Sequence, residues 1–224
     1  MITLHKIKRM AKKKEWREGE MILTFGLKKI INGETPLMQE WVNAEIPIFS
    51  LGEQYSFENV YKKGSRFIST WSEEDLKMKF ISPVLELGWV LEDEKFASFF
   101  DKKLSARVDN HDLIVKADFV VAKGLMDYME RPFFHFQEYK PQKNPTGDPM
   151  AQLLEAFLIG QAKNDDKKPL YGCEVIGRNW TFVTMEERTY CTSKQFDAMD
   201  KDDLLKIIAI LRKFREILET RLLV

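Results

Sequence analysis

The sequence predicts an α/β fold in which a mixed central sheet lies between layers of helices, as in a three-layer sandwich. Short runs rich in aromatic and β-branched residues, typical of strands, alternate with amphipathic segments of helical period. Helix-start signals precede two of these segments, at Ser72 and at Asp148-Pro149. The predicted order is helix, three strands, helix, two strands and a last helix, which favours an α/β sandwich.

Composition bounds the class of protein. The 224 residues are 44% hydrophobic and 31% charged, which suits one packed domain with a modest helical extension. The 35 basic and 35 acidic residues balance, which argues against coating nucleic acid through bulk charge but permits a local basic groove. There is no long apolar run, no apolar stretch after the basic start and no Cys-x-x-Cys pair. We therefore expect a cytoplasmic protein without a membrane span, a disulfide framework or a zinc site.

Residues 1–70 are predicted to form a basic arm and a helical extension. The arm, residues 1–17, carries seven lysines and arginines and is either solvated or in contact with phosphate. An apolar rhythm over 18–31 predicts a helix that ends at Asn32-Gly33, and Thr35-Pro36 opens a second helix. Residues 47–63 are predicted to be loop with a short helix.

Residues 71–224 are predicted to form the main domain, which opens with a helix from Glu73 to about Gly88. Ser72 is a suitable N-cap, and acidic residues fill the first turn, where the helix dipole favours them. An inward stripe is expected at Leu76, Phe80, Val84 and Leu87. Glu73 lies on the same stripe and is therefore directed toward the sheet.

The remaining elements follow in order. Strands are predicted at 96–108, 113–122 and 133–140, and then a helix from Pro149 to about Lys163. Two further strands are expected at 170–176 and 180–185, with Trp180 and Phe182 in the core. Residues 200–223 have the clearest amphipathic pattern, and the width of the apolar stripe favours packing within the chain.

Two predicted strands carry charge where charge is costly. Asp118 interrupts one apolar run, and Glu138 and Lys140 end the next. Alternation along a strand predicts that Glu138 and Lys140 share a face with Phe134 and Phe136. His135, on the opposite face, is expected to be a packed histidine rather than a ligand. Charged groups aligned with phenyl rings must be paired, bound to metal or placed at a working cleft.

These residue types suit metal-assisted hydrolysis of a phosphodiester. Mg²⁺ binds one or two carboxylates, keeps several waters, and lowers the pKa of a bound water. Asp118 and Glu138 would be its ligands, since neighbouring strands place side chains about 5 Å apart. Glu73 could supply a third carboxylate, and Lys140 would orient the attacking water or stabilise negative charge. The alternative is an ion pair at a strand end with Asp118 in a turn.

The pattern Asp118…Glu138-x-Lys140 resembles the PD-(D/E)xK nuclease superfamily, whose fold is restriction endonuclease-like. The resemblance covers about residues 70–185 and implies that Asp118, Glu138 and Lys140 are the catalytic positions. Many members also have a glutamate on the first helix, which falls on Glu73 or its neighbour Glu74.

Two further positions enter through this resemblance. Several members carry a glutamine in the helix after the Glu-x-Lys strand, a position that matches Gln152; a solvent-facing role is the alternative. Ala117 stands where the family motif has proline.

The stretch from Glu73 to Trp89 also resembles the nuclease module of type I restriction motor subunits. The chain itself has no Gly-x-x-x-x-Gly-Lys-Ser/Thr motif, which binds phosphate in ATP motors.

The sequence therefore predicts a nuclease that depends on Mg²⁺, or on Mn²⁺ as a substitute, and that hydrolyses phosphodiester bonds in nucleic acid, with DNA favoured. A homodimer is plausible because cutting two strands often uses two active sites. One alternative is a catalytically silent nuclease-like module that binds nucleic acid or a partner protein. Another is a purely structural α/β protein.

Overall fold

The computed structural model describes residues 15–91, 94–126 and 128–224. Most of the predicted basic arm, residues 1–14, lies outside the described residues. Within the described residues, no helix is long and apolar enough to cross a membrane. The helices are α1 Glu18–Phe25, α2 Pro36–Val42, α3 Leu51–Phe67, α4 Glu73–Leu76, α5 Ser82–Leu87, α6 Pro149–Lys163 and α7 Lys201–Ile217. The strands are β1 Lys28–Ile30, β2 Ala97–Val108, β3 His111–Leu125, β4 Tyr128–Lys140, β5 Leu170–Ile176, β6 Asn179–Glu186 and β7 Thr189–Asp197.

The described residues form one seven-stranded sheet in the order β1-β7-β6-β5-β4-β3-β2. The sheet is mixed, because β4 pairs parallel with β5 and β1 parallel with β7, whereas the other pairs are antiparallel. One core cluster joins α1 and α6 to one face of the sheet, and the other joins α2, α3, α5 and α7 to the opposite face. The predicted α/β class, with a mixed sheet between helices, is confirmed.

The helix predicted over residues 18–31 is confirmed only up to Phe25, and the prediction is wrong for the residues that follow. It ends after Phe25 because Gly26 adopts a left-handed conformation with φ 61° and closes the helix. The chain then runs as β1, which pairs parallel with the start of β7. The apolar residues after Gly26 follow a helical rhythm in sequence, but sheet pairing decides their conformation.

The helix predicted within residues 47–63 is present but longer than expected, since it covers Leu51–Phe67. Ser50 and Glu53 form a capping box, in which each side chain accepts a hydrogen bond from the other residue's backbone N–H, and they begin the 17-residue helix α3. Thr35, in contrast, caps α2 as predicted, because its hydroxyl accepts from the backbone N–H of Met38. Trp41 of α2 is fully buried and packs edge-on against Phe182.

The helix predicted from Glu73 to Gly88 is confirmed with one irregularity. Ser72 accepts a hydrogen bond from the backbone N–H of Asp75 and begins α4. A wider, π-helical turn over Lys77–Ile81 connects α4 to α5. The predicted inward stripe is buried at all four positions: Leu76, Phe80, Val84 and Leu87.

The face prediction for β4 fails at one residue. Val121 pairs with His135 and Ala122 with Phe133, so Phe134 is an extra residue that has no partner in β3. Beyond this bulge the alternation changes phase, and Phe134 therefore packs on the α7 side of the sheet whereas Phe136 packs on the α6 side. Phe136 contacts Phe157 of α6 at 5.8 Å between ring centroids.

The C-terminal half contains one strand that the sequence pattern did not reveal. β7 pairs antiparallel with β6 and carries β1 on its other side. The amphipathic helix expected over 200–223 is present as α7, which Asp200 caps and whose apolar stripe is buried against the sheet. Trp180 and Phe182 are core residues, as predicted.

Gly88, at the end of α5, lies against α7 with no space for a side chain. A Cβ at this position would stand 2.6 Å from Cβ of Leu211. We expect Gly88→Ala to lower the free energy of unfolding by about 1–3 kcal/mol, because α5 and α7 must separate. Urea denaturation measures the change, and an unchanged midpoint would contradict it. Gly19→Ala in α1 is the control: it meets no atom within 4 Å and should be neutral or slightly stabilising.

Candidate active site

The charged residues singled out in the sequence meet at one end of the β3–β4 pair, where the start of α4 approaches the sheet. Asp118, Glu138 and Lys140 are all buried in the described structure, with exposed fractions of 6%, 3% and 6%. Buried charges must be paired or hydrogen-bonded, and the contacts below show how this is achieved.

Asp118 is held by the backbone of the neighbouring strand. The ladder between β3 and β4 runs up to the pair Phe119–Gln137. Beyond this pair a side chain replaces the backbone as the acceptor: Oδ2 of Asp118 accepts a hydrogen bond of 2.8 Å from the backbone N–H of Tyr139. This bond fixes the Asp118 side chain beside the Glu138-Tyr139-Lys140 segment, so the strands are adjacent as the sequence predicted.

Glu138 and Lys140 form a short ion pair at the end of β4. Lys140 Nζ lies 2.6 Å from Oε1 of Glu138 and also donates to the backbone carbonyl of Tyr139 at 3.0 Å. The two side chains share a face of the strand, as alternation requires. The ammonium is thus tethered to Glu138 and lies 3.9 Å from Glu73, two of the carboxylates that were predicted to bind metal.

Burial and a nearby like charge disfavour the ionised form of Glu138. Removal from water raises the pKa of this carboxyl, and the negative charge of Asp118 raises it further. Lys140 opposes these effects only in part, so the pKa of Glu138 is raised to about 8. A cation that contacts Glu138 would therefore compete with a proton near neutral pH.

Glu73, and not Glu74, is the helix carboxylate that reaches the site. Its Oε2 lies 3.9 Å from Lys140 Nζ, and its Oε1 accepts a hydrogen bond of 2.9 Å from Lys77. Glu74 is exposed. The two glutamates are adjacent in sequence, and only the orientation of α4 against the sheet separates them.

Lys77 belongs to the site but was missed in the sequence. Its ammonium lies 2.6 Å from Oδ1 of Asp118, 2.9 Å from Glu73 and 3.6 Å from Asp101. Although burial alone lowers the pKa of Lys77, hydrogen bonds to Asp118 and Glu73 raise it above its ordinary value. The available signal was the Glu73-x-x-x-Lys77 spacing, which puts both side chains on one face of a helix.

Gln152 lies near these residues but does not belong to their hydrogen-bonded network. It lines a cleft of about 300 Å³ together with Lys140, Thr146 and Glu155. The cleft gives Lys140 an opening toward the start of α6. Gln152 is therefore placed to contact a molecule that enters this cleft.

His135 lies away from the site, in the core on the α7 side. It is fully buried against Phe214, at 4.7 Å between ring centroids, and it contacts the Gln137 side chain at 2.8 Å. Burial lowers the pKa of His135 to about 3, so the ring is neutral. This is the packed histidine that the sequence predicted.

The carboxylate oxygens of Asp118, Glu138 and Glu73 are of the type that binds a hard divalent cation, but they do not converge on one position. Among the described ranges, no three acidic, histidine or cysteine side chains converge as a ready-made metal site. Asp118 and Glu73 are instead bridged by the ammonium of Lys77, and Glu138 is bound to Lys140. The ammonium of Lys77 therefore already lies between two of the carboxylates. Carboxylate oxygens are the ligands that Mg²⁺ prefers, one or two of them suffice when waters complete the shell, and Asp118 and Glu138 supply this donor type.

Neither family models nor curated proteins match this chain. The case for a function therefore depends on the geometry of the site.

The raised pKa of Glu138 predicts how stability varies with pH. Between about pH 4.5 and 8 the folded protein holds a proton that the unfolded chain releases, so the free energy of unfolding falls as pH rises and levels off above 8. The slope from this one group is at most about 1.4 kcal/mol per pH unit. Glu138→Gln should remove this contribution.

Urea unfolding in EDTA across this pH range measures the effect. Glu74→Gln is the control, because this neighbour of the site is exposed and should leave the slope unchanged. If Glu138→Gln and the wild type show the same slope, the assignment of the proton to Glu138 is wrong.

Proposed function

We propose that this protein is a divalent-metal-dependent nuclease of the PD-(D/E)xK type that hydrolyses phosphodiester bonds, with DNA as the favoured substrate. The α/β sheet would then be the restriction endonuclease-like form of the fold. The observation that carries the proposal is the meeting of Asp118, in the middle of β3, with Glu138-x-Lys140 at the end of the adjacent strand β4.

The geometry supplies the groups that this chemistry requires. Asp118 and Glu138 would hold Mg²⁺ or Mn²⁺, which polarises the phosphoryl oxygen and lowers the pKa of a bound water. Lys140 lies within hydrogen-bond distance of Glu138, so its ammonium is placed to orient the attacking water or to stabilise negative charge on the phosphate. Glu73, within 3.9 Å of Lys140 Nζ, adds negative charge that favours the cation.

The surroundings of Lys140 support a substrate-facing role for this end of the sheet. Lys140 is mostly buried, yet it lines the cleft shared with Gln152. A lysine needed only to neutralise Glu138 would not need such an opening. The cleft is therefore the proposed approach for the scissile phosphate, and Gln152 is the proposed contact to the neighbouring nucleotide.

Single substitutions at the site should abolish cleavage without unfolding the protein. Asp118→Asn and Lys140→Ala are each expected to lower the cleavage rate at least about 100-fold, because they remove a metal ligand and the positioned ammonium. Cleavage of duplex, branched and single-stranded DNA and of RNA is followed on gels with Mg²⁺ and with Mn²⁺. Glu74→Gln is the matched control and should cleave like the wild type.

Three results would count against the proposal. Cleavage by Asp118→Asn at the wild-type rate would remove Asp118 from the chemistry. Cleavage that persists in excess EDTA would remove the metal requirement. Binding of nucleic acid without cleavage of any substrate would favour the silent binding module instead, and its salt dependence would then report the number of phosphate contacts.

A further inference from the structure

Lys77 occupies the position that a cation shared by two carboxylates would take. Its Nζ lies 2.6 Å from Oδ1 of Asp118 and 2.9 Å from Oε1 of Glu73. The lysine side chain is only 16% exposed, and that of Asp118 is 8% exposed. A buried ammonium held by two carboxylates is the counter-ion of the site rather than a solvated surface charge.

Lys77 and a divalent cation would compete for the same oxygen of Asp118. Oδ2 of Asp118 accepts from the backbone N–H of Tyr139, and Oδ1, the oxygen left for a metal, already accepts from Lys77. Two positive charges on one oxygen in a site with little water repel strongly, so a metal that binds Oδ1 displaces Lys77. The displaced ammonium needs another anion within the reach of its side chain.

Asp101 provides that anion. Its Oδ1 lies 3.6 Å from Lys77 Nζ and 3.0 Å from Lys116 Nζ, and its side chain is half exposed. Lys77 can move toward this carboxylate without leaving the edge of the site. Contact with water at Asp101 also lowers the cost of leaving the buried position.

We infer that Lys77 is a displaceable counter-ion that competes with the divalent cation for Asp118 and Glu73 and moves to Asp101 when the metal binds. The inference rests on the proposed metal site and assigns Lys77 the role of setting metal affinity. Lys77 thereby keeps the carboxylates neutralised without metal, and it limits occupancy to conditions in which the cation is abundant.

Removal of the Lys77 charge should strengthen metal binding. If the form with Lys77 displaced is about one tenth of the population, Lys77→Met should bind Mg²⁺ about tenfold more tightly. Isothermal titration calorimetry measures the Mg²⁺ affinity of both proteins in the same buffer. Lys79→Met is the control: Lys79 lies on the same helical segment, is exposed and pairs with Asp75. Equal or weaker binding by Lys77→Met would overturn the inference.

Thermal unfolding gives a second measurement that needs no catalysis. Without metal, Lys77→Met leaves the Asp118 carboxylate buried and unpaired, so its melting temperature should fall below that of the wild type. Saturating Mg²⁺ should raise the melting temperature of Lys77→Met more than that of the wild type. An equal rise in both proteins would contradict the exchange of one cation for the other.

Asp101→Asn tests whether Asp101 receives the displaced Lys77, and it leaves the buried Lys77–Asp118 pair in place. Asparagine tolerates the left-handed backbone at this position, where φ is 55°. Loss of the carboxylate should weaken Mg²⁺ binding several-fold, because displaced Lys77 has no anion to receive it. Unchanged affinity would overturn the role of Asp101, and this variant keeps the inference testable if Lys77→Met does not fold.

The inference and the proposed nuclease activity can fail separately. If Lys77→Met binds Mg²⁺ more tightly but the wild type cleaves no nucleic acid, the metal exchange stands and the nuclease proposal fails. If the wild type cleaves with Mg²⁺ and Lys77→Met gains no affinity, the nuclease proposal stands and the exchange fails. Absence of metal binding in both proteins overturns the inference.

Discussion

The organisation of this site depends on the hydrogen bond from the backbone of Tyr139 to the buried carboxylate of Asp118. This bond ties the middle of β3 to the end of β4, where the ladder between the two strands stops, and it places a negative charge where water is scarce. The charge must be compensated, and Lys77 of the helical segment that opens with α4 compensates it at 2.6 Å. The position of that segment against the sheet is therefore coupled to the carboxylate that we propose binds metal.

Two local irregularities of the fold place these groups. The unpaired Phe134 changes the phase of β4, so that Phe136 packs on α6 and the following Glu138 and Lys140 project from the same side of the strand as Phe136. The π-helical turn that begins at Lys77 lies directly after the residues of α4 that approach the sheet. Bulges and π turns are frequent at functional sites because they direct side chains that regular elements would place elsewhere.

Much of the fold could be predicted from local patterns. The caps at Thr35, Ser72 and Asp148 mark helix starts that the structure confirms, since a capping side chain acts within three residues of itself. β1 and β7 were not predicted, because a three-residue edge strand and its partner acquire their conformation from pairing between segments far apart in sequence. The phase change at Phe134 was not predicted for the same reason: an unpaired residue exists only relative to a partner strand.

The sequence by itself determined that Asp118, Glu138 and Lys140 stand on neighbouring strands, because two short apolar runs interrupted by charge must pair and must neutralise that charge. Only the tertiary structure decided between Glu73 and Glu74 and brought Lys77 onto Asp118. Those outcomes depend on the angle at which α4 meets the sheet, which is set by the packing of Leu76 and Phe80 in the core and not by any local pattern of residues.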